Sequence, residues 1–205
     1  MEIPPIITKE FQESLSSNDV LNILKDGNKR FIANTRMMRS LKDQRTSLAS
    51  AQHPIAVTLG CIDSRVPSEI IFDLGLGDVF NIRVAGNILN DDVLGSIEFA
   101  CSIVGAKLIV VMGHSDCGAI KAACNNTRLG HITAIMEKID PVIKRVKELH
   151  NDESTLIEMV TVQNTVFVKN QILERSEIIN EMVTSGAVGI VSAVYHLESG
   201  IVDFG

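Results

Sequence analysis

Ile55-Ala-Val-Thr-Leu-Gly-Cys-Ile-Asp-Ser-Arg-Val-Pro67 begins as a short, mostly apolar run introduced by Pro54 and breaks off at Gly60 into a thiol, a carboxylate and a guanidinium on alternate residues. A run of that kind reads as a strand buried on both faces, the profile of a parallel sheet. Asp78-Val-Phe-Asn-Ile-Arg-Val84 and Lys107-Leu-Ile-Val-Val-Met112 are two further runs of this kind. Between them a helix is expected, capped near Asn90, with Val93, Leu94, Ile97, Cys101 and Val104 on one face. Strands alternating with helices predict an α/β fold with a mainly parallel central sheet flanked by helices.

Outward from this centre, residues 1–50 form an N-terminal helical arm. Ser16-Ser17-Asn18-Asp19 caps a helix expected to run to about Asn34, with Val20, Leu21, Leu24, Phe31 and Ile32 at helical spacing. Thr35 to Arg45, with Arg36, Arg39, Lys42 and Arg45, reads as a solvated connection. Beyond Cys117, one helical segment is expected to be interrupted at Pro141. Another should run from about Glu153 to Ser185 with Leu156, Met159, Val166, Leu173 and Met182 facing inward, ended by Gly186. Ala187 to Tyr195 and Ile201 to Phe204, flanking Glu198-Ser199-Gly200, predict a C-terminal hairpin. The 205 residues, 45% hydrophobic, suit one domain with one sizeable core.

Composition narrows the function classes. A net charge of -6, with no basic face, argues against a nucleic-acid partner. The chain has no apolar stretch near the ~20 residues that span a bilayer, so no membrane role is expected. Four cysteines (Cys61, Cys101, Cys117, Cys124) are too few for a disulfide scaffold at this length, and the cytoplasm is the expected compartment.

Ligands of open parallel sheets bind beyond the carboxyl ends of the strands. Cys61 sits at one such end, and Gly113-His114-Ser115-Asp116-Cys117-Gly118 at another. If the two strands are neighbours, Cys61, His114 and Cys117 supply two sulfurs and a nitrogen, a set suited to tetrahedral zinc with one corner open. Asp63 could close that corner, or accept a hydrogen bond there while Arg65 holds it by a bidentate pair.

Cys-x-Asp-x-Arg at 61–65 followed by His-x-x-Cys-Gly at 114–118 resembles the β-class carbonic anhydrases, as do Pro54 and Arg83-Val-Ala-Gly-Asn87. The resemblance runs from about Leu21 through the hairpin. It implies Zn²⁺ held by Cys61, His114 and Cys117, with Asp63 and Arg65 as the catalytic dyad and Asp63 as alternate fourth ligand. It further implies reversible hydration of CO₂ to bicarbonate and a proton. An obligate dimer, sometimes a tetramer, is implied too, in which the N-terminal helix wraps the partner through the apolar face of residues 20 to 32 and the pocket forms across the interface. By the same resemblance Gln52 hydrogen-bonds substrate, Phe80 is an aromatic wall, Phe99 stands where tyrosine is common, and Gly118 lies against the pocket. Thr58 occupies the place of a tryptophan found in the bicarbonate-inhibited branch, which points to the plant-like branch.

Simpler readings compete. Cys101 and Cys124 read as small buried hydrophobes, and Asp116 as a cap for the helix after it. Histidines at 53, 131, 150 and 196 are assigned no proton-shuttle role, and Gly75, Gly77 and Gly86 read as turn residues. A zinc hydrolase acting on carbon disulfide or carbonyl sulfide would share the three ligands. A redox thiol protein would call for Cys-x-x-Cys, which is missing, and a zinc-storage module would leave the Asp63–Arg65 dyad without purpose.

Overall fold

A computed structural model describes residues 3–150 and 152–205. The arm comprises α1 (Lys9–Ser14), α2 (Ser17–Ile32) and α3 (Leu41–Ser47). The centre follows as β1 (Ala56–Gly60), α4 (Ser68–Ile71), β2 (Val79–Arg83), a 3₁₀ turn at Ala85–Asn87, α5 (Asp91–Glu98), a π-helical turn at Phe99–Ile103, and β3 (Leu108–His114). The remainder is α6 (Gly118–Cys124), α7 (Ile132–Leu149), α8 (Leu156–Arg175), α9 (Glu177–Thr184), β4 (Gly189–Tyr195) and β5 (Val202–Phe204).

The sheet order is β2-β1-β3-β4-β5, parallel except for the closing β4–β5 hairpin. All residues of β1 and β3 are buried, as their apolar runs require. Alternation sorts the side chains of these two strands: Ala56, Leu108, Val110 and Met112 pack toward the arm, while Val57, Leu59, Ile109 and Val111 pack toward α5, α8 and α9. Helices α6, α7 and α8 enclose a third apolar cluster around Cys61 and Cys117.

Several expectations are corrected. The apolar face of α2 is mostly covered by its own chain rather than left for a partner: Val20 and Leu24 are fully buried, Leu21 and Phe31 pack partly buried on the same core, and Ile32 stays 45% exposed. The helix crosses so tightly that a Cβ at Gly27 would lie 1.8 Å from the Phe72 carbonyl oxygen. Helix α7 passes through Pro141 without a break, because Met136, Ile139, Val142, Ile143 and Val146 bind its inner face while the exposed Pro141 leaves the exposed Glu137 carbonyl to solvent. The single helix expected over 153–185 is two, divided at Ser176, whose hydroxyl accepts from the Ile179 N–H and donates to Glu98. The fully buried stripe of α8 is Val160, Thr161, Asn164, Thr165, Val168 and Ile172. Leu156, Met159, Val166 and Leu173 of α8, with Met182 of α9, are only half-buried.

Nor is the basic stretch after α2 merely solvated. Asp73, fully buried, accepts from Arg30 Nε at 2.6 Å, Arg39 Nη1 at 2.8 Å and the Met37 N–H at 3.1 Å, with Arg36 3.8 Å away. Burial favours protonation of Asp73, but the hydrogen bonds from Arg30 and Arg39 outweigh it and hold the carboxyl below its ordinary range. A depressed folded-state pKa adds stability above the unfolded-state pKa, lost as pH falls through the folded one. Asp73→Ala would strand Arg39, only 7% exposed, and should cost about 3 kcal/mol at neutral pH by urea unfolding. Stability equal to wild type would show that the arginines do not depend on this carboxylate.

Candidate metal centre

The parallel pairing of β1 with β3, Leu59 opposite Val111, sets Cys61 beside the end of β3, where His114 is its last residue. Cys117 follows one turn later, ahead of α6. All three side chains are buried, and one ligand atom of each lies within 4.8 Å of the others. The two sulfurs are 3.9 Å apart, far too distant for a disulfide. Two sulfurs each about 2.3 Å from one tetrahedral zinc would be separated by a similar distance.

His114 is oriented by its own backbone neighbourhood. Its Nδ1 lies 2.9 Å from the Ser115 carbonyl oxygen, which can only accept, so Nδ1 carries the proton and Nε2 presents a lone pair. That Nε2 is buried without a hydrogen-bond partner. An orphaned buried nitrogen facing two thiols is unfavourable unless a cation takes its lone pair, and an N,S,S donor set fits zinc.

The thiols are electrostatically unequal. Hydrogen bonding with Cys117 drives the Cys61 thiol down against the burial that opposes it, with His114 and the Gly86 N–H assisting; the same pairing and burial drive Cys117 up. Burial disfavours protonated His114, yet the nearby Cys61 sulfur outweighs it and raises the pKa overall. Metal binding would displace the proton from each thiol still carrying one. Cys101, by contrast, is pushed up to about 12 by burial alone, as befits an inert core thiol.

Asp63 lies 3.9 Å from His114 Nε2 and is held bidentately by Arg65, with Nε at 2.9 Å and Nη2 at 2.7 Å. That hydrogen bonding holds the carboxyl well below the usual range. The pair does not arise from an extended segment, in which Cys61, Asp63 and Arg65 on alternate residues would share a face. Residues 61–65 leave the strand in a turn, and the Arg65 N–H donates to Asp63 Oδ1 at 3.0 Å, an Asx-type closure that folds the arginine back over its partner. Asp116 does not cap α6: Cys117 holds that position without a side-chain bond, while Asp116, at φ 58°, pairs with Lys121 and lies 3.9 Å from Arg65.

The remaining expected residues stand apart from this cluster. Gln52 lines a surface depression with Arg45, Leu48 and Gly77, and Phe80 and Phe99 line another with Asp91 and Ser96; neither depression is lined by a donor. Gly118 is exposed, and a Cβ there would meet nothing within 4 Å. Three supports went unread in the sequence. Arg83 of β2 donates to the Cys61 carbonyl at 2.9 Å and the Asp63 carbonyl at 2.5 Å, the Gly86 N–H lies 3.4 Å from Cys61 Sγ, and Asn164 of α8 donates to the Gly86 carbonyl at 2.9 Å. The available signal was Asn164 itself, an amide four residues from Val160 and Val168 on an apolar stripe.

A carbonic anhydrase family model matches residues 56–202. Carbonic anhydrase 2 of Mycobacterium tuberculosis is 39% identical over 183 residues, covering 86% of this chain and 87% of that protein. The carbonic anhydrase of Mycolicibacterium smegmatis is 40% identical over 186 residues, covering 88% and 89%. Among solved structures, a tetrameric β-carbonic anhydrase of Sordaria macrospora superposes with a TM-score of 0.72 at 23% identity, over 96% of this chain and 97% of that one. The family match spans the strands that carry the donors, and the relatives match in both length and arrangement: the chain belongs to the carbonic anhydrase family and has the fold of its β class.

Proposed function

We propose that the chain catalyses the zinc-dependent, reversible hydration of carbon dioxide to bicarbonate and a proton. The observation that carries this reading is the buried Cys61–His114–Cys117 triad, its Nε2 unpartnered, beside an aspartate locked by Arg65. Bound there, zinc would supply Lewis acidity at a fourth, open corner and lower the pKa of water. Cys61 and Cys117 as thiolates balance the dipositive charge, and His114 contributes Nε2. Asp63, kept ionised by Arg65, can only accept a hydrogen bond, so it fixes the direction of a donor at the open corner and leaves a lone pair facing substrate. The bidentate pair restrains the carboxylate from turning onto the donors. Thr58, buried and bonded to Asn81 at 2.7 Å, fills the strand position with a small hydroxyl, in keeping with the plant-like branch.

The pocket is read as completed by a second copy of the chain. Gln52, Phe80 and Phe99 lie away from the donors of their own chain, and Ile62 beside Cys61 is 61% exposed, as is fitting for residues that meet across an interface. A dimer is the minimal unit on this reading. The four cysteines are free thiols, consistent with a reducing cytoplasm.

Metal analysis paired with a stopped-flow CO₂ hydration assay tests the assignment. Cys61→Ser, His114→Ala and Cys117→Ser should each lose zinc on dialysis and with it activity; full occupancy and turnover in any of them would overturn the ligand set. Zinc without hydration in the wild type would favour a non-catalytic metal protein. Arg65→Ala should keep zinc but lose hydration about 100-fold, because the released carboxylate no longer holds its orientation. Undiminished turnover in that variant would remove Arg65 from the dyad. Light scattering should find a dimer or larger assembly, and a fully active monomer would sink the shared pocket.

A further inference from the structure

The turn between β2 and α5 runs through two successive left-handed residues, Gly86 at φ 69° and Asn87 at φ 42°. A side chain at Gly86 would come within 3.0 Å of Ile139 Cδ1 and 3.4 Å of Ala119 Cβ, so α6 and α7 close on this peptide from one side. The Gly86 N–H is directed at Cys61 Sγ, 3.4 Å away, and the Gly86 carbonyl receives Asn164 Nδ2 at 2.9 Å. Asn164 is 1% exposed, and its Oδ1 has no partner. Its carboxamide is therefore buried at a net cost for the sake of the one bond to Gly86, in a stripe where an aliphatic side chain would pack with no orphaned acceptor.

We propose that Asn164 is a positioning residue for Cys61: from α8 it holds the Gly86 turn so that the Gly86 N–H points at the ligand sulfur. The inference rests on the reading of Cys61 as a metal ligand. An N–H donated to a thiolate withdraws charge from sulfur and fixes its direction, which makes Cys61 a better-placed and less basic donor than an unsupported thiolate. The chain from helix amide to peptide to sulfur consists of buried contacts only, so solvent cannot substitute for a missing link. It also ties α8, which supplies no ligand, to the metal centre.

The test compares wild type, Asn164→Leu, Asn164→Ala and Val168→Ala as purified zinc proteins. Val168 is buried one turn further along α8 and belongs to a different apolar cluster from Cys61, so its truncation loosens the same helix without removing the bond to Gly86. Zinc affinity by chelator competition should fall about tenfold in Asn164→Leu and Asn164→Ala, and the thiolate-to-metal charge-transfer band of the cobalt-substituted protein should shift. Val168→Ala should lower the melting temperature while leaving affinity and band unchanged. If Asn164→Leu does not fold, Asn164→Ala carries the comparison. Wild-type affinity and an unshifted band in the Asn164 variants would overturn the inference alone, as would an equal loss of affinity in Val168→Ala. A wild type that binds no zinc would overturn the metal reading and this inference together.

Discussion

The candidate metal centre depends on one contact, the parallel register between the first and third strands in chain order. With Leu59 opposite Val111, the first strand stops at Gly60 while the other runs two residues further to His114, and the thiol that follows the shorter strand lies beside the imidazole that ends the longer one. A one-residue slip would turn every side chain of a strand to the opposite face of the sheet. Here such a slip would also expose alternate members of two cores, since Leu108, Val110 and Met112 belong to one apolar cluster and Ile109 and Val111 to the other. Burial on both faces thus specifies the register, and the register specifies the donor set.

Around this contact the chain leaves few loose backbone groups. Arg83 takes up the carbonyls of Cys61 and Asp63, the Ser115 carbonyl sets the tautomer of His114, and Gly86 lends its N–H to Cys61. Each is a backbone group acting with, or fixed by, a side chain, and each restrains a residue that must not rotate. Preorganisation of this sort suits a site whose task is to orient a small reactant, because little reorganisation is left for the moment of reaction. The charges alternate outward from the donors as well: Asp63 with Arg65, Arg65 near Asp116, Asp116 with Lys121.

A second polar knot, Asp73 with Arg30 and Arg39, is remote in role but alike in construction. It joins the arm to the turn after the short helix that follows the site, where Gly27 already brings two backbones into contact. The arm is thereby part of the core of its own chain.

Much of this was legible from local pattern. The apolar runs at 55–60 and 107–112, the caps at Ser16 and Asn90 and the His-x-x-Cys spacing each depend on near neighbours, so the strands, two helix starts and the donor residues could be read from the sequence. What local pattern does not carry is the partner of a polar side chain. Arg39 looked solvated because Asp73 is thirty-four residues away, and nothing near Asn164 in the chain points to Gly86, seventy-eight residues away. Pro141 was misjudged for the same reason: tertiary packing of α7 outweighs one missing hydrogen bond. Residue types and spacing determined which atoms could bind a metal. The strand register and the packing of α8 decided which atoms met, because burial energy is summed over the whole chain whereas propensity is counted residue by residue.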